Sequence, residues 1–214
     1  MVNYFPHLSI THFKETEHHI RYDEALSVLA SLPIYFHTLH LGFLEFNIPP
    51  NWTPVRRGVT ARPWLTDLTL DNINGELIAW FLMYCGILHA LTLKNCALDL
   101  IGASYIPNSY TLTLQDMHNP TEIHTFVSRW TGVILNVINC SGFNDDVLDV
   151  LGTIYRTSEW GLPIFNAPEL EELNIRGCDG FTTEALQELS RRRLERSVKR
   201  VELGFCVRFH AKVS

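Results

Sequence analysis

The chain has 214 residues, 46% of them apolar, which is enough for a sizeable hydrophobic core and excludes a disordered polymer. Its formal charge of −6 gives no cationic footprint for a phosphate backbone or an anionic membrane surface, so neither nucleic acid nor membrane is an expected partner. The longest apolar stretch, Leu77 to Leu88, is well short of the ~20 residues that a membrane-spanning helix needs.

Taken in chain order, one spacing keeps returning. Phe5, Leu8, Ile10 and Phe13 set an apolar pattern, L-x-x-L-x-L-x-x-(C/N/apolar), that recurs as Phe36, Leu39, Leu41, Leu44. Between these two, Lys14, Glu15, Glu17, His18 and His19 interrupt any signal-peptide core, so secretion is not expected. Asn47 to Pro63 is a proline-rich connection with Trp52 and three arginines. The pattern then returns at Leu65, Leu68, Leu70, Ile73 and, after a predicted helix over Leu77–Tyr84, at Leu88, Leu91, Leu93, Cys96. Looser copies follow at Ser109, Leu112, Leu114, Met117 and at Gly132, Leu135, Val137, Cys140. Asn144 opens a helix with Val147, Leu148 and Leu151 on one side, and Arg156 to Pro168 is a second long connection, carrying Trp160 and Phe165. The clearest copy is Leu170, Leu173, Ile175, Cys178; its helix is capped by Thr182 or Thr183, with Ala185, Leu186 and Leu189 inside and Arg191 to Arg193 at the negative end. Val198, Val201, Leu203 and Cys206 close the series.

The eight first positions fall at 5, 36, 65, 88, 109, 132, 170 and 198, and most steps lie in or near the ~20–29 residues of a leucine-rich repeat. In L-x-x-L-x-L the residue between the last two apolar positions points away from the core of a strand. Those residues are Ser9, His40, Thr69, Thr92, Thr113, Asn136, Asn174 and Glu202, all polar. The expected fold is therefore α/β: one leucine-rich-repeat solenoid over residues 1–214, with parallel strands on a concave face and helices or turns on the convex face. Concave side chains are the expected protein-binding residues, namely His40, Asp67, Thr69, Thr92, Thr113, Asn136, Glu172, Asn174 and Glu202.

No catalytic, cofactor or metal site is expected. His-Glu-x-x-His, G-x-G-x-x-G and the P-loop glycine-lysine motif are absent, and Gly102 to Ile106 lacks the second glycine of a nucleophile elbow. Cys96, Cys140, Cys178 and Cys206 share one repeat position, but Phe13, Leu44, Ile73 and Met117 hold it elsewhere, which suits a packing role better than a ligand role. Five cysteines without a Cys-x-x-Cys pair fit reduced thiols, hence a cytoplasmic or nuclear protein. The run Arg191-Arg192-Arg193-Leu194-Glu195-Arg196 reads as a solvated helix end, or else as a nuclear localisation or acidic-partner patch.

From Leu170 to Leu189 the string LEELNIRGCDGFTTEALQEL resembles the cysteine-containing leucine-rich repeat of F-box proteins. The opening Phe5-Pro6-His7-Leu8-Ser9-Ile10 and the irregular repeats are similar to the F-box proteins abundant in mushroom-forming fungi. The resemblance implies an arc that captures a protein substrate for a cullin-type ubiquitin ligase. In that family a separate F-box docks on the Skp1 adaptor. Here a repeat begins by Phe5 and leaves no room ahead of it for an F-box. Skp1 and cullin are thus implied partners only if an F-box is missing from this sequence, and the solenoid is expected to lack its N-terminal cap. A stand-alone repeat scaffold or regulatory binding protein without a ligase role is the alternative.

Overall fold

The structure is a computed structural model that describes residues 7–11, 37–42, 65–73, 75, 78, 82, 87–98, 109–157, 163–193 and 200–204. The connection 47–63, Trp160, Cys206 and most of Leu77–Tyr84 lie outside the described residues, although Ile78 and Leu82 within that predicted helix are helical and buried.

The described chain is α/β. Eight strands form one all-parallel sheet: β1 (His7–Thr11), β2 (Thr38–Gly42), β3 (Asp67–Asp71), β4 (Leu88–Lys94), β5 (Ser109–Gln115), β6 (Ile134–Ile138), β9 (Glu172–Arg176) and β10 (Arg200–Gly204). They lie side by side in chain order. A short antiparallel hairpin, β7 (Ile154–Thr157) and β8 (Pro163–Phe165), interrupts the order between β6 and β9. It occupies the second long connection, which the sequence pattern alone left without an element.

Register carries the repeat into three dimensions. Leu8, Leu39, Leu68, Leu91, Leu112, Leu135, Leu173 and Val201 pair in one continuous row. Two residues on, Ile10, Leu41, Leu70, Leu93, Leu114, Val137, Ile175 and Leu203 form a second. From Leu39 to Ile175 every member of both rows is buried. Because side chains alternate across a strand, one-residue slippage would turn all of these leucines outward, so apolar burial fixes the register. Each such side chain contributes roughly 1.5–3 kcal/mol when fully buried.

Five strands, β3, β4, β5, β6 and β9, end the same way. The residue after each takes a left-handed conformation: Asn72 (φ 54°), Asn95 (47°), Asp116 (52°), Asn139 (52°) and Gly177 (65°). Asn, Asp and Gly tolerate this region best. The turn lets each backbone N–H reach one strand further, Asn72 to Lys94 O at 2.8 Å, Asn95 to Gln115 O at 2.9 Å, Asp116 to Ile138 O at 2.9 Å and Asn139 to Arg176 O at 2.8 Å. The ladder thereby continues past the strands and leaves these donors satisfied.

Three helices among the described residues cover the apolar face: α1 (Pro120–Val127), α2 (Asp145–Gly152) and α3 (Thr183–Arg193). The Asn144 side chain accepts from Val147 N–H at 3.2 Å and Thr182 Oγ1 accepts from Ala185 N–H at 3.2 Å, the two caps expected from sequence. Helix α1 was not anticipated, yet its start is written plainly as Asn119-Pro120, a capping residue followed by proline in the first turn. Carboxylates tie neighbouring layers together: Asp145 on α2 accepts from Thr182 N–H and Oγ1 at 2.6 and 3.0 Å, and Glu122 on α1 accepts from Leu98 N–H at 2.6 Å.

Two first positions break the rule of a large apolar residue, Ser109 and Gly132, and one side chain explains both. Trp130 is fully buried and donates from Nε1 to Ser109 O at 3.1 Å and Ser109 Oγ at 3.0 Å. A Cβ at Gly132 would lie 2.3 Å from the Trp130 ring and 2.0 Å from Ser109 O. The indole occupies the volume that leucines fill in other layers, so a glycine beneath it is required rather than degenerate.

Candidate functional site

The sheet face opposite the helices has no described element packed over it, and it holds the polar positions between the leucine rows. His40, Thr69, Thr92, Thr113, Asn136 and Asn174 follow one another across β2, β3, β4, β5, β6 and β9, with Glu202 next in register on β10. The Glu202 side chain lies outside the described residues. The parallel row two residues earlier holds Asp67 and Glu172, so all nine expected residues occupy two adjacent rows of one sheet.

Four of these side chains, Thr113, Asn136, Glu172 and Asn174, join into a chain of hydrogen bonds. Asn174 Nδ2 donates to Glu172 Oε1 and to Asn136 Oδ1, both at 2.9 Å, and Asn136 Nδ2 donates to Thr113 Oγ1 at 3.1 Å. The network fixes the rotamers of these four residues. Two buried atoms remain without a partner among the described residues, His40 Nε2 and Asn174 Oδ1. At the strands' C-terminal end Lys94 pairs with Asp71 at 3.1 Å, and Asn95 Nδ2 donates to Asn72 Oδ1 at 3.2 Å.

The N-terminal ends of the strands carry a cluster that the repeat pattern did not single out. His89 on β4 and Tyr110 on β5 are register neighbours whose rings stack at 5.8 Å with an interplanar angle of 7°. His89 Nδ1 lies 3.6 Å from Asp67 Oδ1, with side chains 69% and 39% exposed. Thr66 Oγ1 donates to Asp67 Oδ2 at 2.7 Å. Tyr110 is 48% exposed and Ile87, just before β4, is 80% exposed. His89 and Tyr110 sit at the second residue of the repeat, which the alternation rule leaves unassigned; only the juxtaposition of two aromatic rings at equivalent positions signalled them.

The described cysteines of the row, Cys96, Cys140 and Cys178, are internal. Cys96 Sγ donates to Leu70 O and Lys94 O, both at 3.3 Å, and Cys140 Sγ donates to Leu114 O at 3.4 Å and Ile138 O at 3.3 Å. Each sulfur also serves the preceding layer: Met117 N–H donates to Cys140 Sγ at 3.4 Å and Cys140 N–H to Cys178 Sγ at 3.3 Å. Burial pushes the Cys96 thiol up to about 11. The Cys178 thiol is raised as well, first by its hydrogen bond with Cys140 and then by burial. A small side chain that both donates and accepts suits this dry turn.

The arginine run divides. Arg191 and Arg192 pair with Glu188 on α3 at 2.7 and 2.8 Å, and Arg192 also reaches Asp149 on α2 at 2.8 Å. Those two cations hold the exposed Glu188 carboxyl down to about 2. Arg193 is instead fully buried, which departs from a solvated helix end. Its guanidinium donates to Leu151 O at 2.7 Å, to Ala167 O at 3.2 Å and to Asn166 O, and burial lowers it to about 10. It closes the C-terminal end of α2 and pins the return from the hairpin to β9.

No family model, curated protein or solved structure matches the chain. The site therefore rests on its own geometry. No described helix is long and apolar enough to cross a membrane.

Proposed function

We propose that the chain is a leucine-rich-repeat solenoid that acts as a protein-binding module rather than an enzyme, its partner lying across the exposed face of the parallel sheet. The observation that carries this reading is the in-register row from His40 to Asn174, polar at every strand and hydrogen-bonded from Thr113 to Asn174, above two buried apolar rows. A repeat unit cannot bury its apolar face alone, so stacking produces one continuous core and one continuous presented face. Such a face, with prearranged side chains and an aromatic rim, has the composition of an interface whose anchors are aromatic and whose surroundings are polar.

The cysteine-bearing turn after β9, and its resemblance to F-box repeats, favours a substrate-recognition role in a cullin-type ubiquitin ligase; a free-standing scaffold is the second reading. Affinity capture from cell extract separates them. Proteins recovered with the tagged chain and lost with Thr92→Arg or Asn136→Arg, but kept with Glu184→Arg on α3, support binding through the sheet face. Skp1 and cullin among them support the ligase role. Recovery indifferent to the face variants contradicts the module reading.

A further inference from the structure

The N-terminal rim of β3 to β5 gathers a carboxylate, an imidazole and a phenol. Asp67, His89 and Tyr110 stand in that order across three adjacent strands, the carboxylate at one end and an exposed phenol ring at the other. The hydrogen bonds to the Asp67 side chain among the described residues use Oδ2 alone. At 3.6 Å, His89 Nδ1 is too far from Oδ1 for a proper hydrogen bond, so this oxygen keeps its accepting capacity. No lysine or arginine contacts Asp67 among the described residues, and Lys94, on the neighbouring strand, is engaged with Asp71 at the opposite end. A half-exposed carboxylate beside a flat, stacked imidazole and phenol is complementary to a planar cation on an apolar stem.

Resting on the protein-binding reading above, we propose that this rim receives an arginine side chain of the partner. The guanidinium pairs with Asp67 and lies against the His89 ring, while the adjoining apolar part of the partner covers Tyr110 and Ile87. Arginine fits better than lysine because its planar fork can both stack and donate twice to a carboxylate, whereas an ammonium is a strongly hydrated point charge. The net charge of −6 adds a long-range attraction toward a basic segment.

The test uses the full chain labelled with nitrogen-15 and short blocked glycine-serine peptides that differ only in carrying arginine, lysine or glutamate. The arginine peptide should shift the amide signals of Asp67, His89 and Tyr110, the lysine peptide should bind several-fold more weakly, and the glutamate peptide should leave the rim unmoved. Asp67→Asn and Tyr110→Ala should each weaken the arginine peptide about tenfold, with Ile154→Ala as an exposed apolar control that changes nothing. Both test positions are partly exposed, and an unchanged circular dichroism spectrum shows that the variants fold. A rim that does not respond to arginine, or responds equally in Asp67→Asn, overturns the inference. If peptide shifts instead map only to Thr92, Thr113 and Asn136, the sheet face still binds and the arginine rim alone is lost.

Discussion

The two faces of the same strands obey opposite rules. Inward, Leu91, Leu112, Leu135 and Leu173 are equivalent, fully buried and interchangeable in kind, because each must satisfy the layer before and the layer after. Outward, Thr92, Thr113, Asn136 and Asn174 are equally in register but only half-buried, and they differ in chemistry from strand to strand. The difference teaches what folding constrains: the buried face is fixed by its own neighbours, whereas no described element dictates the chemistry of the outer face.

The sharpest way to break the comparison is to make the inner face obey its consensus. Gly132→Leu restores leucine at a first position, yet its Cβ would meet Ser109 O and the Trp130 ring. It should destabilise by about 3 kcal/mol or more in urea unfolding, in contrast to the gain that a consensus substitution usually brings. Arg193→Met removes the donor that serves Leu151, Asn166 and Ala167 carbonyls and should cost about 3 kcal/mol, with a fall in midpoint on heating. Gly177→Ala places a Cβ at φ +65° and 2.2 Å from Asn139 Oδ1, for a smaller loss of about 1–2 kcal/mol.

The C-terminal helix offers a pH test. The Glu188 carboxyl is held at about 2 against the usual 4.5, so it binds fewer protons in the folded chain than in the unfolded one. Its stabilisation is present above 4.5 and is lost as the pH falls toward 2. Acid titration of stability should therefore be shallower in Glu188→Gln across that window. Smallest of all, Thr92→Val on the outer face should leave stability within about 0.5 kcal/mol while changing partner affinity, which calorimetry against the captured partner would read.

Strands were legible in the sequence because a single period recurs and burial in one sheet forbids slippage; Leu170 to Cys178 gives it in full, and Ser9 to Glu202 marks the polar row. Two helix starts were also legible, since Asn144 and Thr182 are capping residues placed before apolar runs. Helix α1 was missed although Asn119-Pro120 announces it, because attention to the apolar period passes over a start signal that contains no apolar residue. The hairpin of β7 and β8 has no period to reveal it. Ser109 and Gly132 looked like weakened copies for a reason that sequence spacing cannot express: the compensating Trp130 comes from the connection, not from the repeat position. The same limit hid Arg193, whose partners are backbone carbonyls of distant residues, and the rim of Asp67, His89 and Tyr110, which exists only once three strands are aligned.

The central claim, that the polar sheet face is where a partner lies, is tested most directly by site-specific photo-crosslinking in cell extract. A photoreactive side chain at Thr92 on the sheet face should form a discrete covalent adduct that the same group at Glu184, on α3, does not form. Adducts from Glu184 with none from Thr92 would place the binding surface on the helical side and contradict the account.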